Sequence, residues 1–175
     1  MLKDLSIRKP SNLHLAILKK ERVLILRDKN NVISFPLKES FKFINSQLFA
    51  EKNLIEEKGF YSTYNVTLAQ AILGLGVGYR KQLNIAGIGY SCEYKEDSHS
   101  LVLKLGFSHT VIFPLDKQVI AACPKPRLIV LKSLDKKALH KCAQEIQNLR
   151  KPNPYKDLGI YHADVKYKTK VGKKT

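Results

Sequence analysis

Acidic residues are scarce in this chain: 15 Asp and Glu stand against 31 Lys and Arg in 175 residues, a formal net charge of +16 with a pI near 9.8. A balance so lopsided repels itself unless a polyanion neutralises it, which argues against a merely soluble basic protein. Cysteine is scarce too. Cys92, Cys123 and Cys142 are odd in number and form no C-x-x-C, which excludes a disulfide framework and a zinc knuckle and predicts buried free thiols in a reducing compartment. No apolar run approaches the ~18 residues of a membrane span, so no membrane contact is expected. The opening MLKDLSIRKPSN lacks both the apolar core of a secretory signal and the length and Arg/Ser richness of a transit peptide. A chain of this kind that works in an organelle is expected to be made there. Arginine is limited to Arg8, Arg22, Arg27, Arg80, Arg127 and Arg150, while Lys, Asn, Ile, Phe and Tyr abound. That usage points to an AT-rich genome, as many mitochondria have.

Motifs for catalysis are missing as well. His14, His99, His109, His140 and His162 are scattered without an H-x-x-x-H or a local carboxylate arrangement, and no serine or cysteine sits in a nucleophile signature. Gly74-Leu75-Gly76-Val77-Gly78 invites a dinucleotide reading, but the G-x-G-x-x-G fingerprint needs its third glycine where Tyr79 stands, and the cluster follows a predicted helix rather than a strand. A helix terminus and interdomain hinge accounts for these glycines better. The chain is therefore expected to be no enzyme and to hold no cofactor or metal.

What is present is a pattern of short strands and two helices. Strands are predicted at 13–18, 22–27, 31–37, 41–45 and 47–50, with a tight turn at Asp28-Lys29-Asn30-Asn31. A polar stretch containing Glu51, Glu56, Glu57 and Gly59 separates them from a short helix in YNVTLAQAILG, whose apolar face would be Val66, Ala69, Ala71, Ile72 and Leu73, with Asn65 or Thr63 as N-cap and Gly74 as stop. The second half repeats the order, with strands at 81–91, 101–107, 110–115, 118–123 and 127–132, punctuated by Pro114, Pro124 and Pro126. A second helix over 134–149 carries Ala138, Cys142, Ala143, Ile146 and Leu149 on one face, and Lys136, Lys137, Lys141, Gln144 and Asn148 on the other. Ser133 or Asp135 would cap it, and Lys151-Pro152-Asn153-Pro154 would end it. The expected fold class is α+β: two tandem small domains, 1–78 and 79–150, each an antiparallel-rich sheet packed on one helix, followed by a basic extension over 151–175. Gly87 and Gly89 fall inside a predicted strand, where they fit a bulge or a close backbone approach.

The residues from Arg150 onward carry eight Lys or Arg (Arg150, Lys151, Lys156, Lys166, Lys168, Lys170, Lys173, Lys174) against Asp157 and Asp164, a net of +6, with Tyr155, Tyr161 and Tyr167 interleaved. Such a segment is suited to lie along phosphates, and an exposed Tyr155 can stack on a base. Lys outnumbers Arg, which favours point-charge phosphate contacts and shape recognition over bidentate base reading.

Arg150-Lys151-Pro152-Asn153-Pro154-Tyr155-Lys156-Asp157-Leu158-Gly159-Ile160, then Tyr161-His162-Ala163-Asp164, resembles the C-terminal signature of the sixth large-subunit ribosomal protein family, approximately R-[RK]-P-x-P-Y-K-G-K-G-[IV]. Gly87-Ile88-Gly89-Tyr90 resembles that family's G-V-G-Y, Leu105-Gly106-Phe107-Ser108-His109 its L-G-[FY]-S-H, and residues 129–136 its strand, turn and helix start. The resemblance covers about residues 65–172. Asp157-Leu158 departs from the family's G-K, and Ser91 from its usual Arg.

The resemblance implies a tandem pair of α+β domains bound to large-subunit rRNA near the sarcin-ricin loop, close to translation factors and beside neighbouring large-subunit proteins, with no homo-oligomer. It implies rRNA contacts at Arg150, Lys151, Tyr155, Lys156, Lys166, Lys168, Lys170, Lys173 and Lys174, and structural glycines at Gly87, Gly89, Gly106 and Gly159. A mitochondrial, organelle-encoded ribosomal component is the leading expectation, with bacterial cytoplasm as the alternative location. A free RNA-binding regulator or chaperone of two small domains is the alternative function.

Overall fold

A computed structural model describes residues 14–18, 23–27, 32–36, 41–44, 47–50, 58–170 and 172. The predicted turn at Asp28 to Asn31, the polar stretch up to residue 57, and Lys173 and Lys174 lie outside the described residues. The chain divides into two compact units, Met1–Gly78 and Tyr79–Thr175. The fold class is α+β, and every strand pairing among the described residues is antiparallel.

In the first unit, β1 (His14–Leu18), β2 (Val23–Arg27) and β3 (Val32–Pro36) form a three-stranded meander, and β4 (Phe41–Ile44) pairs with β5 (Gln47–Ala50). Helix α1 runs from Lys58 to Gly76, longer at both ends than its sequence suggested. Asn65 is therefore interior rather than a cap, and Gly74 is not the stop. One glycine inside a helix costs about 1 kcal/mol relative to Ala, too little to end 19 residues. The stop is Gly78, whose φ of 75° and N–H bond to the Gly74 carbonyl (2.9 Å) make a left-handed helix cap. The buried stripe also differs from the expected one. Leu68, Ala71, Ile72 and Leu75 are buried at i, i+3, i+4 and i+7, while Val66 and Leu73 are exposed.

In the second unit, β10 (Val119–Lys125), β11 (Leu128–Ser133), β6 (Tyr79–Ala86) and β12 (Gly159–His162) form one sheet in that order. Strands β7 (Ser91–Lys95), β8 (Ser100–Lys104) and β9 (Val111–Pro114) form another. Two of these strands differ from the sequence expectation. The predicted strand over 81–91 breaks at Gly87–Tyr90 into β6 and β7, and β12 lies inside what reads as a basic extension. Pro114 ends β9 and Pro124 sits where the β10 register shifts between Ala122 and Lys125, both positions that need no ladder donor.

Helix α2 (Lys136–Leu149) packs across β6, β11 and β12. Asp135 is its N-cap, accepting from the Lys137 N–H at 2.8 Å, and Ser133 Oγ accepts from the Asp135 N–H, so both candidate residues take part. Leu139, Cys142, Ala143 and Ile146 meet Leu83, Ile85, Ile129, Leu131 and Ile160 in a core that continues through Val119 and Ala121 to Leu101, Leu103 and Leu105. All three cysteines are free. Cys92 and Cys142 are buried and Cys123 is half-buried, less than expected. Burial, with Asp116 and Glu145 nearby, pushes the Cys142 thiol up to about 11, which keeps it an inert core group.

Candidate nucleic-acid interface

Two sequence motifs separated by 15 residues meet on one ring. Tyr90 is buried, and its ring lies so close to two glycine backbones that a Cβ on Gly87 would fall 2.6 Å from Cδ2 and one on Gly106 would fall 2.7 Å from Cε1. Both glycines also have positive φ, 154° and 74°. Gly-x-Gly-Tyr and Leu-Gly-Phe are thus two sides of a single clamp: the ring fills the space the missing side chains leave, and the β6–β7 turn and the β8–β9 loop are fixed against each other. Gly89 has φ 73° with open space around it, so its backbone, not crowding, needs glycine.

The clamp sets out Phe107 and His109 on the surface of the β8–β9 loop. Their rings are parallel within 18° at 5.9 Å, and the Arg150 guanidinium lies over the Phe107 ring at 5.1 Å. Arg150 is the C-cap residue of α2, so the cation–π contact joins the helix exit to that loop.

Beyond Arg150 the chain closes a tight loop. Asn153 N–H donates to the Leu158 carbonyl (2.8 Å), and Ile160 N–H to the Arg150 carbonyl (2.9 Å). Asn153 Oδ1 accepts from the N–H groups of Tyr155 and Lys156 at 2.8 and 3.3 Å. Gly159, φ 130°, presses on the Lys151 carbonyl, which a Cβ would meet at 2.6 Å. An open concavity of about 480 Å³ results, lined by Leu149, Arg150, Lys151, Asn153, Lys156 and Leu158. Tyr155 stands 60% exposed at the loop tip, free of its own domain's core.

The remaining residues return over the same domain. Strand β12 pairs with β6, burying Ile160 completely. Ala163 N–H then donates to the Gln82 carbonyl, and Asp164 takes a 2.7 Å ion pair from Lys81 that holds its carboxyl below the usual carboxylate range. Gln147 of α2, itself buried, donates to the Tyr167 hydroxyl at 2.8 Å, and Tyr167 meets Tyr161 edge to face at 4.9 Å. Lys170 N–H reaches the Pro154 carbonyl at 2.8 Å. The two basic stretches, 150–156 and 166–170, therefore sit side by side with Lys151, Lys156, Lys166, Lys168 and Lys170 exposed. Backbone hydrogen bonds and buried Ile160 hold these residues in place within the chain itself. Burial, then Lys81, lowers the His162 imidazole, whose Nδ1 has no hydrogen-bond partner among the described residues.

Among the described residues no group of His, Cys, Asp or Glu could hold a metal ion. The Gly74–Gly78 cluster lies at a helix C-terminus, whose carbonyl dipoles repel phosphate, so it is no nucleotide cradle.

Comparison with known proteins gives the family context of this surface. The chain is 35% identical over 157 residues to the large ribosomal subunit protein uL6 of Histophilus somni, covering 87% of this chain and 88% of that protein. It is 32% identical over 149 residues to uL6 of Actinobacillus succinogenes, covering 85% and 76%. The chain belongs to the uL6 family. A third uL6, from Mycoplasma pneumoniae, is 31% identical over 140 residues, 80% of this chain and 75% of that one. No protein-family model matches the chain.

The uL6 signature clarifies one departure. Asp157 adopts φ 47° where the resembled signature has glycine, a left-handed backbone that Asp tolerates better than most residues. Leu158, where the signature has lysine, is half-buried and lines the concavity instead of extending a charge. Sequence reasoning missed the residues that hold this uL6 surface together: Tyr167 and Gln147, 20 positions apart, and Lys81 with Asp164, 83 apart. The alternation of Tyr and Lys after Asp164 was the one available signal.

Proposed function

We propose that the chain is a structural constituent of the large ribosomal subunit, a non-catalytic protein that binds large-subunit rRNA near the sarcin-ricin loop and the translation-factor site. The observation that carries this reading is the adjacency of two basic stretches, 150–156 and 166–170, in which Lys151, Lys156, Lys166, Lys168 and Lys170 are exposed, tied together by the Lys170–Pro154 hydrogen bond and to α2 by Gln147–Tyr167. Each lysine that neutralises a phosphate releases counterions, and a surface already ordered loses little conformational freedom on binding. Tyr155 at the tip adds a ring for stacking. Arg150 contributes through its place over Phe107, and Lys173 and Lys174 continue the basic segment. Neighbouring large-subunit proteins complete the surroundings, and no second copy of the chain is required.

The relatives' names supply the ribosomal context, and all three come from bacteria, which fits a bacterial ribosome. A mitochondrial ribosome rests only on the Lys-rich, Arg-poor composition. Sedimentation of the chain with large ribosomal subunits in a low-salt gradient tests the proposal. Migration with the large subunit is the expected result, and migration free of it would favour an independent RNA-binding protein.

A further inference from the structure

We infer that the His109–Phe107–Arg150 stack is a binding site for one unstacked nucleobase of RNA, separate from the lysine contacts to phosphate. This deepens the proposed function and rests on it. Three planar groups meet at Phe107, His109 parallel to it within 18° and Arg150 over its ring. Phe107 is 40% exposed and His109 is exposed, so the stack ends on solvent rather than in the core.

Its placement is fixed, not adventitious. Gly106, next to Phe107, is pressed on the buried Tyr90 ring, and Arg150 is anchored at the α2 terminus by its N–H bond to Gln147 (3.2 Å) and its carbonyl bond from Ile160. The part of the Phe107 ring left facing water gains no packing there, whereas a base laid on this cluster buries apolar area and gains stacking. Charge complementarity selects the ligand class. Arg150 also lines the concavity that Lys151 and Lys156 edge, so a nucleotide whose base rests on the stack brings its phosphate toward three cations. The acidic Asp157 is the one opposing charge on that loop.

Stacking and phosphate binding separate by salt, because only the latter releases counterions. The test is binding of the full chain to ten-nucleotide oligoadenylate and oligouridylate across a salt series, as two probes of equal charge and different stacking strength. The wild-type chain should prefer oligoadenylate by roughly threefold or more, with equal salt slopes for the two probes. In a Tyr155→Ala background, which removes the other exposed stacking ring, Phe107→Leu and His109→Ala should each abolish that preference without changing the slope, and Phe107→Tyr should keep it. His109→Ala leaves the Arg150–Phe107 contact in place, so it reads the stack even if Phe107→Leu lowers thermal stability. Equal affinity of the wild type for both probes, or a preference that survives His109→Ala and Phe107→Leu in that background, overturns the inference. Sedimentation with large subunits is independent of this result, so a chain that co-sediments yet shows no adenylate preference refutes the stack alone.

Discussion

The loop over 151–158 and the segment over 163–170 are both basic and exposed, yet the fold holds them in different ways. The loop is closed by backbone hydrogen bonds on both sides, by the Asn153 side chain and by a glycine pressed on a carbonyl. The later segment is attached at spaced points: Ala163, Asp164, Tyr167 and Lys170. The loop's charges are positioned by the fold itself, while those of the segment are positioned by a few side chains that can be removed one at a time. Damage to the first should therefore cost stability, and damage to the second should cost affinity.

Gly159→Ala should break that comparison most severely. A Cβ there meets the Lys151 carbonyl at 2.6 Å in a backbone with φ 130°, so overpacking and strain together should cost about 3 kcal/mol or more, lowering the melting temperature by roughly 10 °C. Tyr167→Ala should cost less in the fold, about 1 to 2 kcal/mol for the lost hydrogen bond and ring contact, but should weaken RNA binding because Lys166 and Lys168 must then be ordered on association. Thermal melts and RNA titration of the two variants together separate the regions.

Two smaller effects sharpen it. Asp157→Gly should stabilise the loop by about 0.5 to 1 kcal/mol by relieving the left-handed backbone, and should raise RNA affinity by removing the acid beside Lys156. Acidification reports on the other side. The folded His162 titrates below its ordinary 6.5, so the unfolded chain binds more protons and stability should fall as pH drops through and below 6.5. Asp164, held low by Lys81, adds loss in the same direction at more acid pH. His162→Gln should flatten the decline between pH 7.5 and 5.5 in chemical denaturation.

Legibility in the sequence followed the same physical line. Helix α2 could be read because Ala138, Cys142, Ala143, Ile146 and Leu149 repeat at helical spacing behind Asp135, a signal local enough to survive without tertiary context, although Leu139 rather than Ala138 is the side chain buried in the first turn of the core face. Strand β12 could not, since Gly159–His162 is four residues long and stands among prolines and lysines; what makes it a strand is the exposed edge of β6, 73 to 79 positions earlier at Ala86–Leu83. The end of α1 was misplaced because Gly74 and Gly78 look alike in sequence, and only backbone conformation tells the capping glycine from the interior one. In the candidate site, the lysines and Tyr155 were visible as composition. The adjacency of the two basic stretches depends on Gln147, Tyr167 and Lys81, whose partners lie 20 and 83 residues away.

The most direct test of a preformed, two-part phosphate surface is the salt dependence of binding to large-subunit rRNA for two lysine variants in the full chain. Lys151→Ala with Lys156→Ala, and Lys166→Ala with Lys168→Ala and Lys170→Ala, should each flatten the log–log salt slope by roughly 0.7 to 0.9 per lysine removed, with melting temperatures close to wild type. A slope unchanged in either variant would contradict the assignment of that stretch to phosphate.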